Sequence, residues 1–405
     1  MNLRHPLELR CAIQHYPWGK LGAASLVARL VGVKAGEDDS TPFAELWIGA
    51  HPKAPSRTLV DGKEWQLDQL IERYPDQLLA ASDAATLPFL CKVISVREPL
   101  SIQAHPSREQ AELLHARDPG HYPDPYPKPE IAIARTPVSV LHGFRPVSEL
   151  VANLERVPEL RTLVGDGAVS NLTASVKDVS VQARAVKGYY QALMRTTPEA
   201  ITKACGNLVE RLKQTSIRTA EDHWVLKLAP AYPAGDIGLF HFYLLNLSTV
   251  PPRSTIFTAT GIPHAYLDGD LVECMANSDN VVRGGLTEKH REVEALLQIL
   301  DYTPKRMTLI TAEAKGPLER ILAPGCDFVM DVLHEPVTNF QYNPSAGFLT
   351  LCLEGKGYLE TNRTQYPFSA GVHYFVPAAC GPVMINTALP GAYYFAYAPI
   401  NRNLH

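Results

Sequence analysis

A mainly β protein interrupted by one α-helical insertion is the fold class this sequence predicts, and three observations carry it. Short apolar runs punctuated by Pro and Gly fill the chain up to about residue 146 and return after about residue 229. Between them the apolar residues switch to helical spacing. The 33 prolines among 405 residues argue against a helix-dominated chain, because each removes a backbone donor.

In the first stretch, residues 89–96 and 131–134 read as strands, and so does Ser101-Ile102-Gln103-Ala104-His105-Pro106. Thr197 followed by Pro198 looks like an N-cap with proline at the first helical position, after which Ile201, Ala204, Leu208 and Leu212 recur at helical spacing. Residues 180–194 carry a similar stripe in Val186, Tyr189, Tyr190 and Leu193. Strand texture resumes at residues 256–259, then at 265–267 and 271–275 after a Gly-Ile-Pro turn. Farther on, residues 348–353 and 371–376, joined through glycine turns such as Glu354-Gly355-Lys356-Gly357, suggest a small barrel or jelly roll. The expected division is residues 1–146 and 229–310 as two parts of one β unit, 147–228 as the helical insertion, and 311–405 as a C-terminal β module. In that module His373 has no evident ligand partner.

With 38 basic against 42 acidic residues the formal charge is −4. That balance gives no electrostatic footprint for nucleic acid or an anionic membrane, yet leaves room for a local pocket that holds an anionic small molecule. No apolar h-region opens the chain and no apolar window is long enough to cross a bilayer, so a cytoplasmic protein is expected, and a monomer. The seven cysteines are scattered without a CxxC pair, which indicates neither a disulfide framework nor a thiolate zinc knot.

Gln103 and His105 stand two apart in strand-like sequence and would share one face. Glu130 in Lys128-Pro129-Glu130 and His264 in Pro263-His264 offer two more donors at strand ends. Two imidazoles, a carboxylate and an amide oxygen suit Zn²⁺ with an open position, and by donor type also suit Fe²⁺, Mn²⁺ or Co²⁺. Downstream a second polar cluster runs from Asp268 to Glu273 and from Ser278 to Gly285, with Lys289 beyond, and its stretch ending in Arg-Gly-Gly reads as loop. Such a loop is either a solvated turn with capping side chains or a means of bringing Arg283 and Lys289 to an anion.

Several strings are specific in combination: Pro88-Phe89-Leu90 with Lys92-Val93-Ile94-Ser95, Leu100-Ser101-Ile102-Gln103-Ala104-His105-Pro106, Lys128-Pro129-Glu130, Pro263-His264-Ala265-Tyr266 and Ser278-Asp279-Asn280-Val281-Val282-Arg283. With Tyr16-Pro17-Trp18-Gly19, Ala44-Glu45-Leu46-Trp47-Ile48-Gly49 and Gly235-Asp236-Ile237-Gly238-Leu239-Phe240, they make the chain resemble the type I mannose-6-phosphate isomerases from about residue 10 to 300. The resemblance implies two cupin-type jelly-roll domains with a helical insertion, the C-terminal one lacking metal ligands. It also implies one zinc held by Gln103, His105, Glu130 and His264, with Arg283 and Glu273 in the pocket. The implied activity is a zinc-dependent interconversion of mannose 6-phosphate and fructose 6-phosphate through a cis-enediol, supplying activated mannose. A sugar phosphate is then the partner molecule.

On chemical grounds Glu273 is the first choice of base, Asp279 the second, and Lys128 a donor to a substrate oxygen or to a neighbouring carboxylate. Arg283 would offset enediolate charge, while Ser101 and Lys289 would hold the phosphate. One departure is Pro127, where histidine is common in the family, so no proton-shuttling role carries over to that position. Arg97-Glu98-Pro99, where small or basic residues are more usual, is the other. Two other classes compete: an iron-dependent cupin dioxygenase, which would not need Arg283 and Lys289, and a non-catalytic sugar- or metal-binding cupin, which would not need Glu273, Lys128 and Arg283.

Overall fold

The computed structural model describes residues 2–80 and 86–399. Its first half is organised around the strand Phe89–Val96, buried along its whole length. Glu45–Gly49 pairs with one edge of it and His264–Ala276 with the other, both antiparallel. The strand His264–Ala276 also pairs with Glu130–Ala134 and Val138–Phe144, and at one position, His264 opposite Gln103, with Ile102–Ala104. One long strand therefore meets every segment expected to supply a metal ligand.

Three segments differ from their sequence expectation. Residues 265–267 and 271–275 are one continuous strand, which bends at Gly269 with φ +114° and a register irregularity opposite Ser139 and Val140. A Cβ there would lie 2.7 Å from the Pro137 carbonyl oxygen, so glycine is what lets the strand continue through the bend. The Ser101-to-Pro106 strand is shorter than read: Ile102–Ala104 is the paired part, and Ser101, His105 and Pro106 flank it. Finally, Val282–Gly285 is not loop but a strand, pairing with Ile102–Ala104 so that Arg283 stands opposite Gln103. Two glycines masked its strand character because they add no side chain to the pattern.

The helices Val147–Arg156, Pro158–Ala174, Val179–Met194, Pro198–Gln214 and Ala220–Leu228 follow one another. Thr197 caps Pro198–Gln214 by accepting from the Ala200 N–H, a bond worth about 1 kcal/mol. Val186, Tyr189, Tyr190 and Leu193 form the buried stripe of Val179–Met194. These helices do not close a core of their own. Ile102, Ala104, Phe144, Val282 and Leu286 belong to the same apolar cluster as Leu160, Tyr190 and Leu208. Ile102 and Ala104 thus face the helices, which turns Ser101 and Gln103 to the opposite side.

Farther along, a seven-stranded and a four-stranded sheet form a sandwich around Val329, Tyr342, Phe348, Leu359, Phe368 and Ile385. The other face of the larger sheet, through Leu349, Leu351, Phe375 and Tyr394, packs on Leu46, Ile48, Cys91, Val93 and Cys274 of the first half. His373 is buried in this sheet with neither ring nitrogen hydrogen-bonded.

Candidate metal centre

His105, Glu130 and His264 come together as the one group of three His, Cys, Asp or Glu ligand atoms found within 4.8 Å of one another among the described residues. Strand pairing leads toward their convergence: Glu130 opens its strand opposite Thr258, whose hydroxyl lies 3.4 Å from His142 Nε2, His142 pairs with His264, and His264 faces Gln103 on the strand that ends just before His105. Each imidazole has Nδ1 fixed by a backbone carbonyl, His105 by Asn280 at 2.7 Å and His264 by Ile262 at 2.9 Å. Each Nε2 then lies 3.3 Å from one oxygen of Glu130.

These distances and tautomers favour a cation. Burial, followed by the charge of Lys128, lowers the His105 pKa to about 4, so its imidazole is neutral at pH 7. With Nδ1 donating to a carbonyl, Nε2 turns a lone pair toward a carboxylate. Both Nε2 atoms and Glu130 Oε2 are buried without a hydrogen-bond partner. Two donors each about 2.05 Å from a tetrahedral ion stand about 3.3 Å apart, so the triad fits zinc. The carbonyl bonds to Nδ1 are the outer contacts that hold ligating histidines in orientation. For Glu130, burial acts to raise the pKa, but Lys128 and the two imidazoles hold it well below the usual carboxylate range.

A cavity of about 330 Å³ opens over the triad and is lined by Ser101, Gln103, Lys128, Glu130, Glu273, Asp279, Arg283 and Lys289. His105 and His264 are buried and do not line it; Glu130 is the member of the triad that does. Lys128 precedes the strand Glu130–Ala134 rather than lying in it, with Nζ 2.7 Å from Glu130 Oε1. Among the described residues no carboxylate pairs with Arg283, whose Nε is buried without a partner. Burial lowers its pKa, and Tyr122 opposes that fall. Lys289 is exposed at the rim. Asp279 also reaches the cavity, yet its carboxylate is engaged by Lys53 at 2.8 Å and by His51 at 3.5 Å. Burial would raise its pKa, but these two partners hold it well below the ordinary value.

Glu273 is 3% exposed, accepts from the Tyr266 hydroxyl at 3.1 Å and lies 3.7 Å from Lys92 Nζ. Burial first, then the negative charge of Glu130, raises its pKa to about 7, against the lowering effect of Lys92 and Lys128. Glu45, 3.5 Å from the same ammonium, completes a buried Glu45–Lys92–Glu273 row across three neighbouring strands.

Comparison with known proteins agrees with this geometry. The profile for the phosphomannose isomerase type I catalytic domain matches residues 7–147, and that for the family's helical insertion domain matches residues 163–245. The mannose-6-phosphate isomerase of Homo sapiens is 40% identical over 381 residues, covering 89% of this chain and 90% of that protein. The chain belongs to the type I phosphomannose isomerase family. A mannose-6-phosphate isomerase of Bos taurus is 43% identical over 318 residues, 75% of each chain. Among solved structures, a zinc-bound mannose 6-phosphate isomerase superposes with a TM-score of 0.85 at 28% identity, covering 97% of this chain and 99% of that one.

Seen within this family, Lys92, Glu45 and Asp124 are residues to which the sequence reading gave no role. Lys92 and Glu45 did carry a signal: each is a charge inside an otherwise apolar strand, where burial demands a partner. Asp124 carried none. It lies in a proline-rich loop and gathers Ser278, Asp279 and Asn280 by accepting from the Ser278 hydroxyl at 2.8 Å, the Asp279 N–H at 2.9 Å and the Asn280 amide at 3.1 Å. Since the Asn280 carbonyl fixes His105, Asp124 acts on the ligand geometry through two bonds.

Proposed function

We propose that this protein is a zinc-dependent mannose-6-phosphate isomerase whose site is the cavity above His105, Glu130 and His264, with Gln103 as fourth ligand. The single observation that carries it is two orphaned imidazole nitrogens facing one carboxylate beneath an unpaired arginine and a buried glutamate. Zinc there supplies a Lewis acid for the substrate carbonyl and the developing enediolate, and offsets the charge of Glu130.

The side chains divide the rest of the work. Glu273 takes the proton from the carbon beside the carbonyl and returns it to the neighbouring one, the Tyr266 hydroxyl orienting its carboxylate. Arg283, without a carboxylate partner among the described residues, donates to the oxygen on which charge develops. Lys128 holds Glu130 in place and reaches the same end of the cavity. Ser101 and Lys289 bind the phosphate, whose remote contacts align the reacting carbons. Asp279 is better read as the residue that holds Lys53 at the cavity than as the base. The division into two β units around a 147–228 insertion belongs to the same proposal, as do a monomeric state and a cytoplasmic location.

Purified protein is expected to hold about one zinc per chain and to convert mannose 6-phosphate to fructose 6-phosphate in a coupled assay. Absence of turnover in zinc-replete protein would overturn the proposal. Because Glu273 works deprotonated, kcat/KM falls on the acid side. With the charge of Glu130 offset, one cause of the rise is removed, so that limb lies below about 7. Lys92→Met removes a charge that favours the carboxylate, so the limb should move to higher pH by about one unit. A pH profile that stays in place, or moves to lower pH, contradicts the assignment of the base.

A further inference from the structure

The string Gly235-Asp236-Ile237-Gly238-Leu239-Phe240 sends no side chain into the cavity. It ends the helical block, and Ile237, Leu239 and Phe240 are buried in the core shared with Tyr190 and Leu208. Asp236 is 6% exposed, with Oδ2 4.0 Å from Arg291. Its Oδ1 accepts from the Gly238 N–H at 2.6 Å and from the Leu286 N–H at 2.8 Å. Leu286 directly follows Val282–Gly285, the strand that presents Arg283.

The two backbones approach as closely as glycine permits. A Cβ on Gly238 would fall 2.5 Å from the Leu286 nitrogen, and one on Gly285 would fall 2.6 Å from the Gly238 Cα. A Cβ on Gly284 would lie 3.3 Å from the Tyr190 hydroxyl, which shares a 2.8 Å hydrogen bond with His241 Nε2. From Pro198–Gln214, the Cys205 thiol donates to the Asp236 carbonyl at 3.6 Å. The Arg283 strand is short and half glycine, so side-chain packing alone holds it weakly. One edge is registered on the Gln103 strand, and the other side is tied to Asp236, whose own carbonyl accepts from Cys205 of the helical insertion.

We infer that Asp236 is a positioning residue for the isomerisation: by holding the Gly238 and Leu286 main chain with one carboxylate oxygen, it sets where the Arg283 guanidinium stands over the metal site. Through this contact the helical insertion acts on the reaction rather than only packing. A guanidinium that meets developing charge must be placed before the reaction, and among the described residues this one has no carboxylate partner in the cavity to place it. The inference rests on the proposed role of Arg283.

A double-mutant cycle in the full-length zinc enzyme tests it. Asp236→Ala is expected to lower kcat about 30-fold with zinc content unchanged, within the range that a misplacement of about 1 Å costs. Asp236→Asn, whose Oδ1 still accepts from both N–H groups, should keep kcat within about threefold. In an Arg283→Ala background, Asp236→Ala should cause no further loss, because the group it places is gone. Should Asp236→Ala fail to fold, Asp236→Glu, which displaces the acceptor by one methylene, enters the same cycle with the same expectation. If Arg283→Ala is itself fully active, the reading of the site is wrong. If Arg283→Ala is impaired and the double variant loses the product of the two single losses, the site stands and the role of Asp236 is overturned.

Discussion

His264→Ala is expected to lose zinc and turnover together, whereas Arg283→Ala keeps the zinc and loses turnover. The first substitution removes one of two nitrogens that face Glu130, leaving a buried carboxylate with one imidazole at 3.3 Å. Removing even an outer partner of a metal ligand costs about 10- to 100-fold in affinity, so loss of a direct ligand should exceed about a hundredfold. Among the described residues Arg283 hydrogen-bonds to none of the three ligand side chains, and its strand pairs with Gln103 through the main chain, which alanine preserves. Loss of one preorganised donor to a developing oxyanion costs about 10²- to 10³-fold in kcat. Metal analysis beside the coupled assay separates the two outcomes, and equal zinc loss in both variants would contradict the division of roles.

Glu273→Gln should be the most damaging change that leaves the zinc in place. Glutamine is nearly isosteric and can still accept from the Tyr266 hydroxyl, so packing at this 3% exposed position is kept. What disappears is the group that carries the proton, and removing a general base costs about 10²- to 10⁴-fold. Transfer of solvent deuterium into the product provides a second readout, because proton removal and return pass through the same carboxylate. Exchange that continues in Glu273→Gln at the unaltered rate would mean that another group is the base. Asp279 is a poor candidate for that group, since Lys53 and His51 already hold its carboxylate charged and engaged.

Much of this arrangement was legible in the chain. Phe89–Val96 declared itself by an apolar run, and Pro198–Gln214 by its cap, its proline and its spacing. His105, Glu130 and His264, which converge, were legible because ordered motifs single them out without knowledge of distant contacts. Val282–Gly285 was not, because Gly285 answers to the backbone of Gly238 and Gly284 to the Tyr190 hydroxyl, 47 and 94 residues earlier in the numbering, and no local pattern reports such an approach. Lys92 and Glu45 announced a partner without naming it. Asp124 acts through the main chain of a loop about 155 residues away, and nothing in its own surroundings marks that.

By itself the sequence determined the class of fold, the donor types and the chemistry those donors can support, since these follow from residue identity and local periodicity. Only the tertiary structure decided which nitrogen of each histidine is free, which carboxylate is held charged and which is lifted toward neutrality, and that Arg283 has no carboxylate partner among the described residues. Those properties depend on burial and on hydrogen bonds between segments far apart in the chain. Glu273 and Asp279 are both carboxylates close to the same cavity. Burial beside Glu130 lifts one toward neutrality, and a lysine with a histidine holds the other charged, and that difference exists only once the strands have met.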